Sequence, residues 1–157
     1  PTADRVREAV FSALGPLDGD AVLDLFAGSG ALGIEALSRG AASALFVERD
    51  RRALAALRGN LEALGLAPPE AVVRPGDARA VLRDASRRDA TYDLVFLDPP
   101  YRDAPALGPE LTDSLAPVLA PGARVVCESD RRAPLGLGLP VTLERRYGDT
   151  LISIHHA

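Results

Sequence analysis

A short turn, Asp98-Pro99-Pro100-Tyr101, combines groups that could act together on the exocyclic amine of a nucleobase. The two prolines fix the backbone and remove two N–H donors, so the carbonyl oxygen of Pro99 is left to accept a hydrogen bond. Such an amine is a poor nucleophile because its lone pair is delocalised into the ring. If Asp98 and Pro99 each accept one N–H hydrogen, the nitrogen becomes more tetrahedral and can attack a methyl group in line. The ring of Tyr101 could stack on the extruded base, a contact worth roughly 1–3 kcal/mol.

A glycine-rich loop at residues 24–33 is the second chemical signal, and it predicts a nucleoside cofactor. Its glycines, at positions 28, 30 and 33, allow a tight turn and the close approach of a ligand to a helix N-terminus. Glu48 follows Gly28 by 20 residues, where an acidic side chain can accept hydrogen bonds from both hydroxyls of a ribose. Taken alone, the loop also fits a tight turn that binds no ligand.

Two cofactors, a dinucleotide and S-adenosylmethionine, compete for this loop. A dinucleotide carries a pyrophosphate and needs a helix N-terminus without fixed negative charge. S-adenosylmethionine instead carries an α-ammonium and a sulfonium, which favour a nearby carboxylate such as Asp24; alternatively, Asp24 could orient the loop through water. Asp77 could reach an adenine amino group. Because acidic residues are common at strand ends, it is the turn at Asp98 that favours S-adenosylmethionine.

The segments that must position these residues alternate between strand-like and helix-like patterns. Apolar runs predict strands at 21–26, 43–48, 71–74, 92–97 and 123–128, and a final hairpin at 141–156. Helical spacing predicts helices from Thr2 to Leu14, after the glycine loop, from Asp50 to Gly65 with Leu64 on the apolar face, after Asp77, and over 107–119. The alternation predicts a single α/β domain over residues 1–157, with a mostly parallel sheet that binds ligands at its carboxyl edge.

Length and composition exclude several classes of protein. The chain has 157 residues and a net charge of −4, which argues against nucleic-acid binding through bulk positive charge. It has no apolar run of the roughly 20 residues that span a membrane, and we expect a cytoplasmic protein with no membrane partner. The single cysteine, Cys127, predicts packing and no metal site. His155 and His156 lack metal-ligand spacing and are expected at a frayed strand end.

Four motifs together resemble those of the RsmD-type 16S ribosomal RNA guanine-N2 methyltransferases. They are the glycine loop, the Asp-Pro-Pro-Tyr turn, the opening residues 1–8 (Pro-Thr-Ala-Asp-Arg-Val-Arg-Glu) and the closing residues 147–150 (Tyr-Gly-Asp-Thr). The first two occur in many amino-methyltransferases, whereas the opening and closing motifs favour this family. The resemblance covers essentially the whole chain. It implies a Rossmann-like class I methyltransferase fold, with a seven-stranded sheet whose last strand is antiparallel and helices on both faces.

The resemblance also implies a role for individual residues. The implied catalytic residues are Asp98, Pro99, Pro100 and Tyr101. The implied cofactor-binding residues are Asp24, Phe26, Ala27, Gly28, Ser29, Gly30, Glu48, Arg49, Asp77 and Ala78. Thr2 and Arg5 are expected to line the mouth of the site on the substrate side. S-adenosylmethionine would be the methyl donor, with S-adenosylhomocysteine as product and no metal.

The implied acceptor is a guanine in small-subunit ribosomal RNA, within the assembled or assembling 30S particle, and the enzyme is expected to be a monomer. Members of the family carry a basic β-hairpin before the opening motif. This chain starts inside that motif, so the hairpin and its RNA contacts are expected to be missing. An adenine-N6 or cytosine-N4 DNA methyltransferase shares the four-residue turn and is the nearest alternative. A nucleotide-binding module or a small dehydrogenase is a third hypothesis, which leaves the turn unexplained.

Overall fold

A computed structural model describes residues 2–100 and 104–157, and these residues form one α/β sandwich around a seven-stranded sheet. The strands are β1 (Ala21–Asp24), β2 (Ser43–Glu48), β3 (Ala71–Pro75), β4 (Tyr92–Leu97), β5 (Leu119–Asp130), β6 (Val141–Tyr147) and β7 (Thr150–His156). The helices are α1 (Thr2–Leu14), α2 (Ala31–Ser38), α3 (Arg51–Ala63), α4 (Ala78–Arg87) and α5 (Ala104–Leu115), and a 3-10 turn at Ala116–Val118 follows α5.

The strand order is β3-β2-β1-β4-β5-β7-β6. Neighbouring strands from β3 to β5 are parallel, and β7 runs antiparallel to both β5 and β6. From β1 to β3 the strands are added toward one edge of the sheet, and from β4 onward they are added toward the other edge. This reversal leaves a crevice beyond the carboxyl ends of β1 and β4. The fold implied by the resemblance, including the antiparallel last strand, is confirmed.

Each face of the sheet carries its own hydrophobic core, because alternate residues of a strand point to opposite faces. Val22, Leu94 and Phe96 pack with residues of α1, α2 and α3 on one face. Leu23 and Val95 pack with α4 and α5 on the other. The central strands are buried on both sides, which explains why their sequences are almost continuously apolar.

Several boundaries differ from the sequence-based prediction. Strand β1 ends at Asp24 instead of position 26, because the chain turns there into the glycine loop. Helix α5 begins earlier than predicted and ends at Leu115, where the chain tightens into the 3-10 turn and β5 then begins at Leu119. Helix α3 ends before Leu64, whose side chain is 59% exposed, so its predicted place on the apolar face is wrong.

Candidate active site

The glycine loop lies at the carboxyl end of β1 and is held by the strands on both sides. The N–H of Leu25 donates to the carbonyl of Phe96 on β4, and the N–H of Ala27 donates to the carbonyl of Val47 on β2. The loop then closes with a hydrogen bond from the N–H of Gly30 to the carbonyl of Ala27. Its position is therefore fixed by the ladder of the central strands, before any side chain contributes.

Glu48, at the end of β2, adds a second set of contacts to this loop. Its Oε1 accepts a 2.8 Å hydrogen bond from the N–H of Gly28. Its Oε2 accepts from the N–H groups of Arg49 and Asp50, each at 2.9 Å. A carboxylate has about four acceptor positions, two on each oxygen, so Oε1 keeps one position for a ligand hydroxyl. The backbone amides orient this carboxylate in advance.

Asp24 is almost entirely buried beneath the loop, with 2% exposure. Its Oδ2 accepts a 3.2 Å hydrogen bond from the N–H of Gly33, so Asp24 contacts the loop directly, where the sequence left a water-mediated contact open. Burial raises the pKa of Asp24 to about 7; the Gly33 hydrogen bond opposes this shift, and the nearby Glu48 adds to it. A cationic ligand beside Asp24 would favour its charged form.

Gly30 and Gly33 serve packing, each in a different way. Gly30 has a φ of 91° and is the residue before α2; a Cβ there would lie 2.5 Å from Cδ1 of Leu57. At Gly33 an added Cβ would overlap the ring of Phe46. Gly30 was predicted to contact the cofactor, but it is buried and lines neither cavity of the site.

A first cavity of about 680 Å³ opens at this sheet edge, between the glycine loop and helix α5. Six of the predicted cofactor residues line it: Phe26, Gly28, Glu48, Arg49, Asp77 and Ala78. Apolar wall is added by Leu107 and Leu111 of α5. The volume, the apolar walls and the separated carboxylates of Glu48 and Asp77 suit a nucleoside with a ribose and an adenine amine.

Two charged residues of this wall were not predicted from the sequence. Arg79 of α4 and Glu110 of α5 form a 3.2 Å ion pair at the rim of the cavity. Asp77 caps α4 by accepting a 3.0 Å hydrogen bond from the N–H of Arg79, so one of its oxygens supports the helix. The pairing of Arg79 with Glu110 depends on how α4 packs on α5, which no local pattern encodes.

A second cavity of about 470 Å³ lies beside the first, between α1 and the ends of β4, β5 and β7. Four further residues of the predicted cofactor-binding and catalytic sets line it: Asp24, Ala27, Ser29 and Asp98. Phe26, Gly28 and Asp98 line both cavities. Asp98 therefore stands where the two spaces meet.

The opening and closing motifs meet at the second cavity. Val6 and Arg7 of α1 line it from one side, and Thr150, the first residue of β7, lines it from another. Arg5 is exposed and does not line either cavity, whereas the unpredicted Arg7 does. The side chain of Thr2 lies outside the described residues, as does Tyr101, so their predicted roles stay predictions.

Glu128 is the main residue that the sequence analysis missed. It lies near the end of β5, beside Asp98, and lines the second cavity with it. Burial and the facing carboxyl of Glu128 raise the pKa of Asp98, and burial also raises the pKa of Glu128. The available signal was an acidic residue near the end of a predicted strand. Its position beside Asp98 follows only once β5 is known to lie next to β4.

The sheet, the loop and the Asp-Pro-Pro turn define a class I methyltransferase of the Rossmann-like type. A solved structure from Escherichia coli, provisionally titled methyltransferase yhhF, superposes with a TM-score of 0.83 at 34% identity, covering 99% of this chain and 86% of the other. The family model described as "Conserved hypothetical protein 95" matches residues 1–156. The chain belongs to this family, the RsmD-type methyltransferases.

Two relatives show how much of the chain is shared. YlbH of Bacillus subtilis (strain 168), provisionally named an rRNA methyltransferase, is 39% identical over 159 residues, which cover 99% of this chain and 86% of YlbH. Ribosomal RNA small subunit methyltransferase D of Escherichia coli (strain K12) is 45% identical over 107 residues, or 65% of this chain. That match covers 50% of the length of the E. coli protein.

No helix in the described parts of the chain is long and apolar enough to cross a membrane.

Proposed function

We propose that this protein transfers a methyl group from S-adenosylmethionine to the N2 amine of a guanine in small-subunit ribosomal RNA. The observation that carries the proposal is the place of Asp98, at the junction of a nucleoside-sized cavity and the second cavity. A group that must hold an acceptor amine against a bound donor has to stand at such a junction. The names of the two relatives support ribosomal RNA as the substrate class, and the name of the E. coli relative specifies the small subunit.

The first cavity is proposed to hold the cofactor. Glu48 is already oriented by three backbone N–H groups and would accept from a ribose hydroxyl through Oε1. Asp77 would accept from the adenine amine, with Phe26 and Leu107 providing apolar contact. Asp24 is buried, lines the second cavity and has no ion-pair partner among the described residues; it would face the α-ammonium where the two cavities meet. S-adenosylmethionine, when bound, supplies a methyl group made electrophilic by its sulfonium.

The turn after β4 is proposed to position the acceptor. Asp98 and the carbonyl oxygen of Pro99 would each accept one N–H of the guanine amine, which localises the lone pair on nitrogen. The lone pair would then form the new N–C bond, and the electron pair of the broken C–S bond would stay on sulfur. Asp98 would take the proton that the amine loses, along the hydrogen bond that it accepts from this amine. Tyr101, outside the described residues, keeps its predicted role as a stacking platform.

A methyl-transfer assay with tritiated S-adenosylmethionine tests this proposal. Naked ribosomal RNA, small-subunit particles and duplex DNA are offered as acceptors, and the labelled products are digested to nucleosides. We expect label in N2-methylguanosine, with particles as the best acceptor. Label in methyladenosine, or only in DNA, would overturn the proposal and favour the adenine-N6 or cytosine-N4 alternative.

Calorimetry separates the methyltransferase from the dehydrogenase hypothesis. We expect S-adenosylhomocysteine to bind the chain and NAD to show no measurable heat of binding. If NAD binds and S-adenosylhomocysteine does not, the glycine loop binds a dinucleotide and the dehydrogenase hypothesis is favoured.

A further inference from the structure

Glu128 and Asp98 occupy matching places on two adjacent parallel strands. Leu97 of β4 is paired with Cys127 of β5, so the two acidic residues follow paired positions at the carboxyl edge of the sheet. Both side chains are half-buried and line the second cavity. The proposed chemistry uses Asp98 and leaves Glu128 without a role.

The two carboxyl groups offer acceptor oxygens to a ligand that donates hydrogen bonds. They lie close enough to form a hydrogen bond with each other, and Asp24 adds a third negative group nearby. Within residues 2–100 and 104–157, neither Asp98 nor Glu128 forms an ion pair with an arginine. In the absence of a ligand, one carboxyl can keep its proton and donate to the other, whereas both can be charged where a ligand donates a hydrogen bond to each of them.

Guanine presents adjacent donors on one edge. Its N1 carries a hydrogen, and the neighbouring N2 amine carries two. Adenine and cytosine differ here, because the ring nitrogen next to their exocyclic amine has a lone pair and no hydrogen. Two neighbouring carboxylates therefore match the N1–H and N2–H donors of guanine and repel the corresponding ring nitrogen of the other two bases.

We propose that Glu128 is the residue that selects guanine, by accepting a hydrogen bond from N1–H while Asp98 accepts one from the N2 amine. This inference rests on the proposed function and adds the residue that determines its base specificity. The opposite placement of the base would direct the lone pair of N3 at Glu128, so charge also fixes which way the guanine lies. By drawing the N1 proton, Glu128 increases the electron density on N2, from which the new N–C bond forms.

The test compares guanine with 2-aminopurine at the methylated nucleotide. 2-Aminopurine keeps the amine at C2, but its N1 has a lone pair and no hydrogen. Small-subunit particles are reconstituted with ribosomal RNA that carries either base at the nucleotide mapped with the wild-type chain, and kcat/KM is measured for both. A site built to accept a hydrogen bond discriminates against the unpaired analogue by about 100-fold or more.

The variant Glu128→Gln changes the interaction with N1 of 2-aminopurine from repulsive to attractive, because the amide N–H of glutamine can donate a hydrogen bond to N1. We expect Glu128→Gln to lower kcat/KM on guanine and to reduce the preference for guanine over 2-aminopurine by at least about tenfold. Glu144→Gln, an exposed glutamate on β6, is the matched control and should leave the preference unchanged. A purely structural role for Glu128 would lower both rates together.

Three results would contradict the inference, and they can be told apart. If wild type methylates 2-aminopurine as fast as guanine, Glu128 does not select the base, whether or not the variant folds. If Glu128→Gln folds and keeps the wild-type preference, another group reads N1. If the wild-type label is found in methyladenosine, the proposed function itself fails, and the guanine specificity fails with it.

Discussion

The backbone N–H of Gly28 and the side chain of Glu48 are joined by a 2.8 Å hydrogen bond that connects the glycine loop to the end of β2. Because the same carboxylate also accepts from two consecutive N–H groups at the end of β2, its orientation does not depend on a ligand. One residue thus shapes the loop and presents an acceptor oxygen, Oε1, to the first cavity. Such support for a binding group from fixed neighbours reduces the ordering cost of binding.

Glu48→Gln should weaken binding of S-adenosylhomocysteine by about tenfold or more, because the amide can accept through only one of its two polar atoms. Its N–H₂ group would face backbone donors and turn the side chain away from the ribose. Titration calorimetry measures the change, and Glu62→Gln, an exposed glutamate of α3, serves as control. Unchanged affinity would show that Glu48 neither binds the cofactor nor orders the loop for it.

Asp98→Ala should abolish methyl transfer while leaving the affinity for S-adenosylhomocysteine within a few-fold of wild type. The physical reason is that Asp98 is proposed to hold the acceptor amine, and the first cavity keeps its other contacts. Asp113→Ala, in an exposed position of α5, should leave transfer unchanged. Collapse of cofactor binding in Asp98→Ala would instead make Asp98 chiefly a cofactor ligand.

Gly33→Ala should destabilise the fold by about 1–3 kcal/mol, since the added methyl group meets the ring of Phe46 in the core. Gly59→Ala is the matched control, because a Cβ there has no atom within 4 Å and the residue is exposed within α3. That change should stabilise the chain by about 0.5–1 kcal/mol. Urea unfolding measures both. Equal stability of Gly33→Ala and wild type would mean that α2 can move away from β2 at little cost.

Asp24→Asn should remove a pH dependence of stability. Burial raises the pKa of Asp24 from its ordinary 3.8 to about 7, so the folded chain holds this proton after the unfolded chain has lost it. Stability therefore falls as pH rises from about 4 to about 7 and is constant beyond, by up to about 4 kcal/mol from this group. The measurement is urea unfolding of both proteins across this pH range in the absence of ligand. We expect the free energy of unfolding of wild type minus that of the variant to fall with this slope. A flat difference would show that Asp24 titrates normally.

Local patterns in the sequence predicted most individual elements, because strands and helix caps depend on residues near each other in the chain. Asp50 was predicted to cap α3, and its Oδ2 accepts from the N–H of Ala53 at 2.9 Å. The final hairpin is formed by Val141–Tyr147 and Thr150–His156, within the predicted range of 141–156. The two motifs that bear the proposed chemistry were found because each immediately follows a strand.

His155 shows where local reasoning was wrong. It was expected at a frayed end, yet it is 4% exposed, with hydrogen bonds to the hydroxyl of Ser153 at 2.9 Å and to the carbonyl of Leu139 at 3.0 Å. Strand β7 lies between β5 and β6, so its last residues are covered from both sides. The position of a strand in the sheet decides this burial, and the sequence near His155 does not reveal it.

The sequence by itself determined the glycine loop, the Asp-Pro-Pro turn and the alternation that makes an α/β sheet, since all three follow from backbone preferences and local hydrophobic spacing. Only the tertiary structure decided which chain-distant groups meet: Glu128 beside Asp98, Arg7 and Thr150 around the second cavity, Arg79 against Glu110. These contacts depend on strand order and helix packing. Both arise from burying two separate cores at once, which no single segment can specify.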